Sequence, residues 1–244
     1  MPRRRRSERP RWPSRVGVAD RSQTPCIYVL AGTNGGGKSS VGGAWLVQKG
    51  VDFFNPDEAA RRILSANPWI TSAEANSAAW GEGRHLLERA IAERLSFAFE
   101  TTLGGRTITT LLQRALSEGL EVRVWYVGLA SPELHIARVR ARVERGGHDI
   151  PEDRIRDRYD SSRLNLIRLL PKLTELSVYD NSQDADPLTG VARRPTLILH
   201  MARGAIVSTC DLRRAPEWAK PILGACLSHG DTPLAGRLRR RKRT

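Results

Sequence analysis

The stretch Gly32-Thr33-Asn34-Gly35-Gly36-Gly37-Lys38-Ser39 constrains this chain more than any other. It fits the phosphate-loop pattern G-x-x-x-x-G-K-[ST], which needs a strand before it and a helix after it. Residues 26–31 supply the strand, an apolar run with β-branched and aromatic members. Residues 39–48 read as the helix. Glycines let the backbone turn tightly and let a polyphosphate approach the amides. The free N–H groups at the new helix start face that anion. Lys38 adds a point charge near the β- and γ-phosphates, and the Ser39 hydroxyl can hold Mg²⁺. The chain has five lysines against thirty-five arginines, so a lysine at this position stands out. ATP with Mg²⁺ is the expected ligand, with Gly32, Thr33, Asn34, Gly35, Gly36, Gly37, Lys38, Ser39 and Ser40 around its phosphates.

The remaining chain alternates strands with helices. Residues 51–54, 97–99, 121–127 and 176–179 read as strands. Helices are expected from Asn55-Pro56-Asp57-Glu58 to about Ser65, with Asp57 at the cap, and over 72–95, 107–117, 131–145 and 151–170. In the second of these, Trp80, Gly83, Leu87, Ala90 and Ile91 share one face and read as core. A hairpin around Arg203-Gly204 and a helix over 216–226, kinked or broken at Pro221, come last. Short loops and a phosphate loop after the first strand imply a parallel three-layer α/β/α P-loop fold with a C-terminal β-hairpin and helix.

At 244 residues the chain can hold one such domain, expected over residues 26–226. The net charge of +14 suggests nucleic acid, but its placement argues otherwise. Residues 1–25 carry +6 and residues 227–244 carry +5, leaving +3 between them. The two ends are Arg-rich with little to bury, and read as disordered tails with at most weak anionic contacts. They lack interleaved aromatics apart from Trp12, which disfavours stacking on single strands. No apolar run approaches a membrane span, and no apolar segment follows the N-terminal arginines. Three cysteines without paired spacing suit a reducing cytoplasm.

Ligands on parallel sheets sit at the carboxyl ends of the strands. Asp57 and Glu100 follow two of those ends, so they should share a crevice with the loop. A carboxylate there can orient an acceptor hydroxyl and take its proton. Either acid could do this, and Glu100 could instead bind the acceptor or stand beside the metal. Arg138, Arg142 and Arg145 fall at helical spacing before Gly146-Gly147, with Arg154 and Arg158 on the next helix. Their fixed donor forks suit phosphate, and the segment has the form of a lid.

Several motifs in order resemble the zeta toxin family of bacterial P-loop kinases. They are the loop itself, Asn55-Pro56-Asp57-Glu58, Phe97-Ala98-Phe99-Glu100-Thr101-Thr102-Leu103, Ser131-Pro132-Glu133-Leu134, Gly146-Gly147-His148-Asp149-Ile150-Pro151-Glu152, and Trp218-Ala219-Lys220-Pro221. The resemblance covers about residues 26–224 and neither end. It implies an ATP-dependent kinase whose best-known members phosphorylate UDP-N-acetylglucosamine at its 3′-hydroxyl. It further implies Lys38 on ATP phosphate, Ser39 on Mg²⁺, Asp57 as general base, and Glu100 with Thr101 and Thr102 holding the acceptor. Two arginines near the lid would contact the ATP phosphates. His148 stands where the best-studied members have an arginine shortly before a proline. A small protein antitoxin is the partner the resemblance implies. The alternatives are a kinase for another nucleotide, sugar or antibiotic, and an ATP-switched nucleic-acid-binding protein.

Overall fold

The computed structural model describes residues 24–38, 53–183 and 194–229. The helix expected over 39–48 lies outside these residues, as do Ser39, Ser40 and most of both basic ends. The strands are β1 (Cys26–Ala31), β2 (Phe53–Phe54), β3 (Phe97–Thr101), β4 (Glu121–Gly128), β5 (Glu175–Asp180), β6 (Thr196–Ala202) and β7 (Ala205–Thr209). The described helices are α1 (Pro56–Ala66), α2 (Ser72–Ala92), α3 (Arg106–Ser117), α4 (Pro132–Val143), α5 (Glu152–Leu169) and α6 (Lys220–His229). None of them is long and apolar enough to cross a membrane.

One sheet runs in the order β2-β3-β1-β4-β5-β6-β7. The first five strands are parallel, and β6 and β7 add antiparallel to the β5 edge. The architecture is the expected three-layer α/β/α P-loop fold. The hairpin, however, extends the main sheet, which is therefore mixed. After β1 the chain moves out to β2 and β3 on one side, then crosses to β4 and β5 on the other. That reversal at β1 makes the carboxyl end of the sheet, where the loop begins, the expected place for a ligand.

Strand alternation divides the core. Ile27, Val29 and Ala31 of β1, with Val122, Val124 and Tyr126 of β4, face the larger cluster. Leu87 and Ile91 of α2, Leu112 of α3, Leu166 of α5 and Ile222 of α6 complete it. Cys26, Tyr28, Leu30, Ala98, Trp125 and Val127 fill the opposite face.

Local chemistry sets the element ends, and three expectations are corrected there. The α1 cap is Asn55, whose Oδ1 accepts from Asp57 N at 2.9 Å and Glu58 N at 3.2 Å. Pro56 takes the first helical position, where its missing N–H costs nothing, so Asp57 sits inside the first turn. In α2 the buried face runs through Ala75, Ala79, Leu87, Ala90 and Ile91, while Trp80 is 49% exposed under Arg84. Pro221 does not break the last helix. A short 3₁₀ turn, Glu217–Ala219, precedes α6, and Pro221 occupies the first turn, where proline is tolerated.

Candidate active site

The loop leaves β1 at Ala31 and turns into a helix at Lys38. Gly35 and Gly37 have φ of +78° and +82°, conformations that side-chain-bearing residues rarely adopt. A Cβ on Gly35 would stand 2.6 Å from the His135 carbonyl oxygen, and one on Gly37 would stand 2.5 Å from Asn181 Nδ2. Gly32 presses just as closely on the Val127 carbonyl. Inside the turn the Gly36 N–H donates to Thr33 O at 3.1 Å. Thr33 is buried, and its hydroxyl donates to Arg158 O at 3.3 Å.

Lys38 is only 6% exposed, an arrangement that needs a partner for the charge. Its Nζ lies 3.5 Å from Glu100 Oε1 and 3.4 Å from Thr33 O. Register explains the first contact, because Glu100 pairs with Leu30 across β1 and β3 near the loop's point of departure. The Asn55 amide then donates from Nδ2 to Glu100 Oε2 at 3.4 Å. The same side chain thus caps the helix bearing Asp57 and touches the carboxylate that faces Lys38. This is how the loop, Glu100 and Asp57 come to one crevice.

A strained turn holds Glu100 in place. Leu103, buried and non-glycine, has φ of +55°. Asn165 Nδ2 donates to its carbonyl at 2.9 Å. The Thr101 hydroxyl accepts from Leu103 N at 3.0 Å, and that of Thr102 accepts from Gly104 N at 3.4 Å. Ser162 on α5 donates to Thr102 O at 2.6 Å and accepts from the Tyr126 hydroxyl at 3.0 Å. Burial pushes the Tyr126 phenol up to about 12, so it remains a donor.

The arginines separate into distinct roles. Arg142 Nη1 lies 3.4 Å from Asp57 Oδ2, and its Nη2 donates to His148 O at 2.7 Å. Its Nε is buried without a hydrogen-bond partner, an unspent donor beside the crevice. Arg158 Nη1 donates to Asn34 Oδ1 on the loop at 2.8 Å. Burial lowers the Arg158 pKa, as does Arg154, while Asp57 opposes the shift. Arg138 is directed to Gln183 O at 3.3 Å. Arg145 does not share their helix, because α4 ends at Val143 and Arg145 sits exposed in the following turn. The expected three-arginine stripe is thus two arginines, and Arg158 joins them from α5.

Two residues in contact with the loop carried no functional expectation. His135, 1% exposed, places Nδ1 2.7 Å from Asn34 O. Asn181 donates from Nδ2 to Gly36 O at 3.0 Å. Asn181 directly follows β5, so the strand-end rule that marked Asp57 and Glu100 could have marked it too. His135 lies in a helix among apolar neighbours and gives no signal of its own. Among the described residues no group of three or more His, Cys, Asp or Glu side chains could hold a metal ion.

Comparison with known proteins bears on this arrangement. A protein of Haemophilus influenzae, described only as uncharacterized, is 35% identical over 138 residues, 56% of this chain and 94% of the relative. The AvrRxo1-ORF1:-ORF2 complex solved with ATP aligns with a TM-score of 0.60 at 15% identity. That alignment covers 84% of this chain but only 64% of the other, so this chain spans less than two thirds of it. The PezAT chromosomal toxin-antitoxin system of Streptococcus pneumoniae aligns with a TM-score of 0.50 at 17% identity, covering 65% and 68% of the two chains. At such identities the solved structures speak for the fold. The Zeta toxin family profile matches residues 13–186, and the chain belongs to that family.

Proposed function

We propose that this chain is a cytoplasmic ATP-dependent kinase that transfers the γ-phosphate to a hydroxyl of a small acceptor. The observation that carries the reading is the link through Asn55, which ties the carboxylate facing Lys38 to the helix start bearing Asp57. UDP-N-acetylglucosamine is the acceptor favoured by family membership. A protein antitoxin is the favoured partner, since the PezAT relative is a toxin-antitoxin system.

The chemistry follows from position. Gly32 to Gly37 wrap the phosphates, and Lys38 turns from Glu100 toward the β–γ bridge. Arg142 and Arg158 take the outer oxygens, with the Arg142 Nε as an available donor. Asp57 accepts the acceptor's hydroxyl proton as that oxygen bonds to Pγ. The bond from Pγ to the β-side oxygen breaks and ADP departs. Glu100, with Thr101 and Thr102, orients the acceptor. Magnesium arriving with the nucleotide would neutralise developing charge; its expected ligand, Ser39, lies outside the described residues.

The test is incubation of the purified protein with labelled Mg–ATP and UDP-N-acetylglucosamine, beside a panel of nucleotides, sugars and aminoglycosides. Phosphate on the 3′-hydroxyl of the nucleotide sugar is the expected result. Transfer solely to another acceptor retires the substrate assignment. No Mg–ATP binding and no transfer to anything retires the kinase.

A further inference from the structure

The phosphate loop is held from outside at two of its carbonyls. His135 Nδ1 meets Asn34 O at 2.7 Å, and Asn181 Nδ2 meets Gly36 O at 3.0 Å. A carbonyl only accepts, so His135 must carry its proton on Nδ1. In a trans peptide the C=O and the following N–H point in opposite directions. Fixing the Asn34 and Gly36 carbonyls outward therefore turns the N–H groups of Gly35 and Gly37 inward. Among the described residues neither N–H has a hydrogen-bond partner, whereas the intervening Gly36 N–H is spent on Thr33 O. We propose that His135 and Asn181 are positioning residues that aim the Gly35 and Gly37 amides at the polyphosphate. The inference rests on the nucleotide-binding reading of the loop and goes beyond it by assigning who sets the loop's shape.

Both clamps are braced by structure rather than by the loop itself. The His135 ring meets Tyr159 edge-on at 5.7 Å, and Arg163 lies over the Tyr159 ring at 4.1 Å. Arg163 Nη1 also donates to Trp218 O at 3.2 Å. Asn181 N donates to Gly128 O at 3.0 Å, fixing it to the end of β4. Trp218 Nε1 donates to Asp180 Oδ1 at 3.1 Å, one residue before Asn181. The two clamps thus meet at Trp218, so neither is a free surface side chain that happened to settle on the loop.

The test compares His135→Leu, His135→Asn and Asn181→Ala by calorimetric titration with Mg–ATP and by steady-state kinetics. Asparagine can place its Nδ2–H where the imidazole Nδ1–H was, and leucine cannot. His135→Leu and Asn181→Ala should each weaken Mg–ATP binding by ~10-fold, the worth of one well-aimed hydrogen bond in a buried site. KM for ATP should rise while KM for the acceptor holds, and His135→Asn should restore most of the affinity. Folded His135→Leu or Asn181→Ala binding Mg–ATP as the wild type does would overturn the assignment. So would a loss in His135→Leu that His135→Asn fails to repair, since volume rather than the donor would then matter. Wild-type protein that binds no Mg–ATP would instead bring down the nucleotide reading beneath it.

Discussion

The site asks most of individual side chains where charge meets burial. Lys38 and Glu100 are both shielded from water and lie 3.5 Å apart, so removing either takes the nearby opposite charge from the other. Lys38→Ala should cut transfer by at least ~10²-fold, as for other groups that meet transition-state charge. Asp57 is different, because it is partly exposed and caps nothing. Asp57→Asn should keep Mg–ATP affinity and lose ~10²–10⁴-fold in kcat, the usual span for a general base. A wild-type rate in single-turnover assays would remove Asp57 from the mechanism. His135 adds a pH dependence. Burial, with Lys38, Arg138 and Arg163 nearby, lowers its pKa from 6.5 to about 4, against the opposing hydrogen bond to Asn34 O. Between those values the unfolded chain binds the proton and the folded chain does not. Stability is therefore complete above about pH 6.5 and falls as pH drops toward 4, by ~3 kcal/mol in all. Urea denaturation at pH 7 and pH 4.5 checks this, and His135→Asn should flatten the difference.

Elements show how far residue patterns carry. Strand alternation placed Val122, Val124 and Tyr126 on one face of β4, and burial agrees. Ser131-Pro132 placed the start of α4. The misplacements have physical causes. Asn55 and Asp57 are both good caps, but proline prefers the first helical position, which leaves only Asn55 for the cap. Trp80 reads as core because it is large and apolar, yet Ala75 and Ala79 form the buried face of α2 at that level and the indole falls beside it, half exposed. Arg145 fell on the stripe by arithmetic, and the helix ended before reaching it. The contact of His135 with the loop is set by which elements meet, and no local pattern encodes it, whereas Asn181 stands at a strand end that the sequence does mark. Asn55 offers an element-level test because it joins α1 to β3. Asn55→Ala should cost ~1 kcal/mol as a lost cap, read as a lower melting temperature, and should also impair transfer. Asn55→Asp should keep the cap but set a second carboxylate beside Glu100, so stability should hold better than activity. If activity falls only in step with stability in both variants, the Asn55–Glu100 link has no role beyond the cap.

Across the whole molecule, residues 196–229, beyond the family match over 13–186, reach the ends of β4 and β5. The β6–β7 hairpin extends the β5 edge and leads the chain back to the 3₁₀ turn carrying Trp218. That indole is buried, lies directly over Gly128 at the end of β4, and bonds Asp180 at the end of β5. Two neighbouring strand ends on the ligand side are therefore fastened by one side chain from the last third of the chain. Trp218→Ala should destabilise the fold by ~3–5 kcal/mol, the range for emptying an indole's volume from a core. Trp218→Phe is the more informative change, since most of the packing survives and the Asp180 hydrogen bond does not. It should cost ~1 kcal/mol in stability. Because Asn181 follows Asp180, it should also raise KM for ATP several-fold while leaving KM for the acceptor alone. If Trp218→Phe melts lower but binds Mg–ATP as tightly as before, the C-terminal segment stabilises the sheet without shaping the loop. If affinity falls with stability, the grip on nucleotide extends through β5 to a 3₁₀ turn that the phosphate-loop motif itself does not reach.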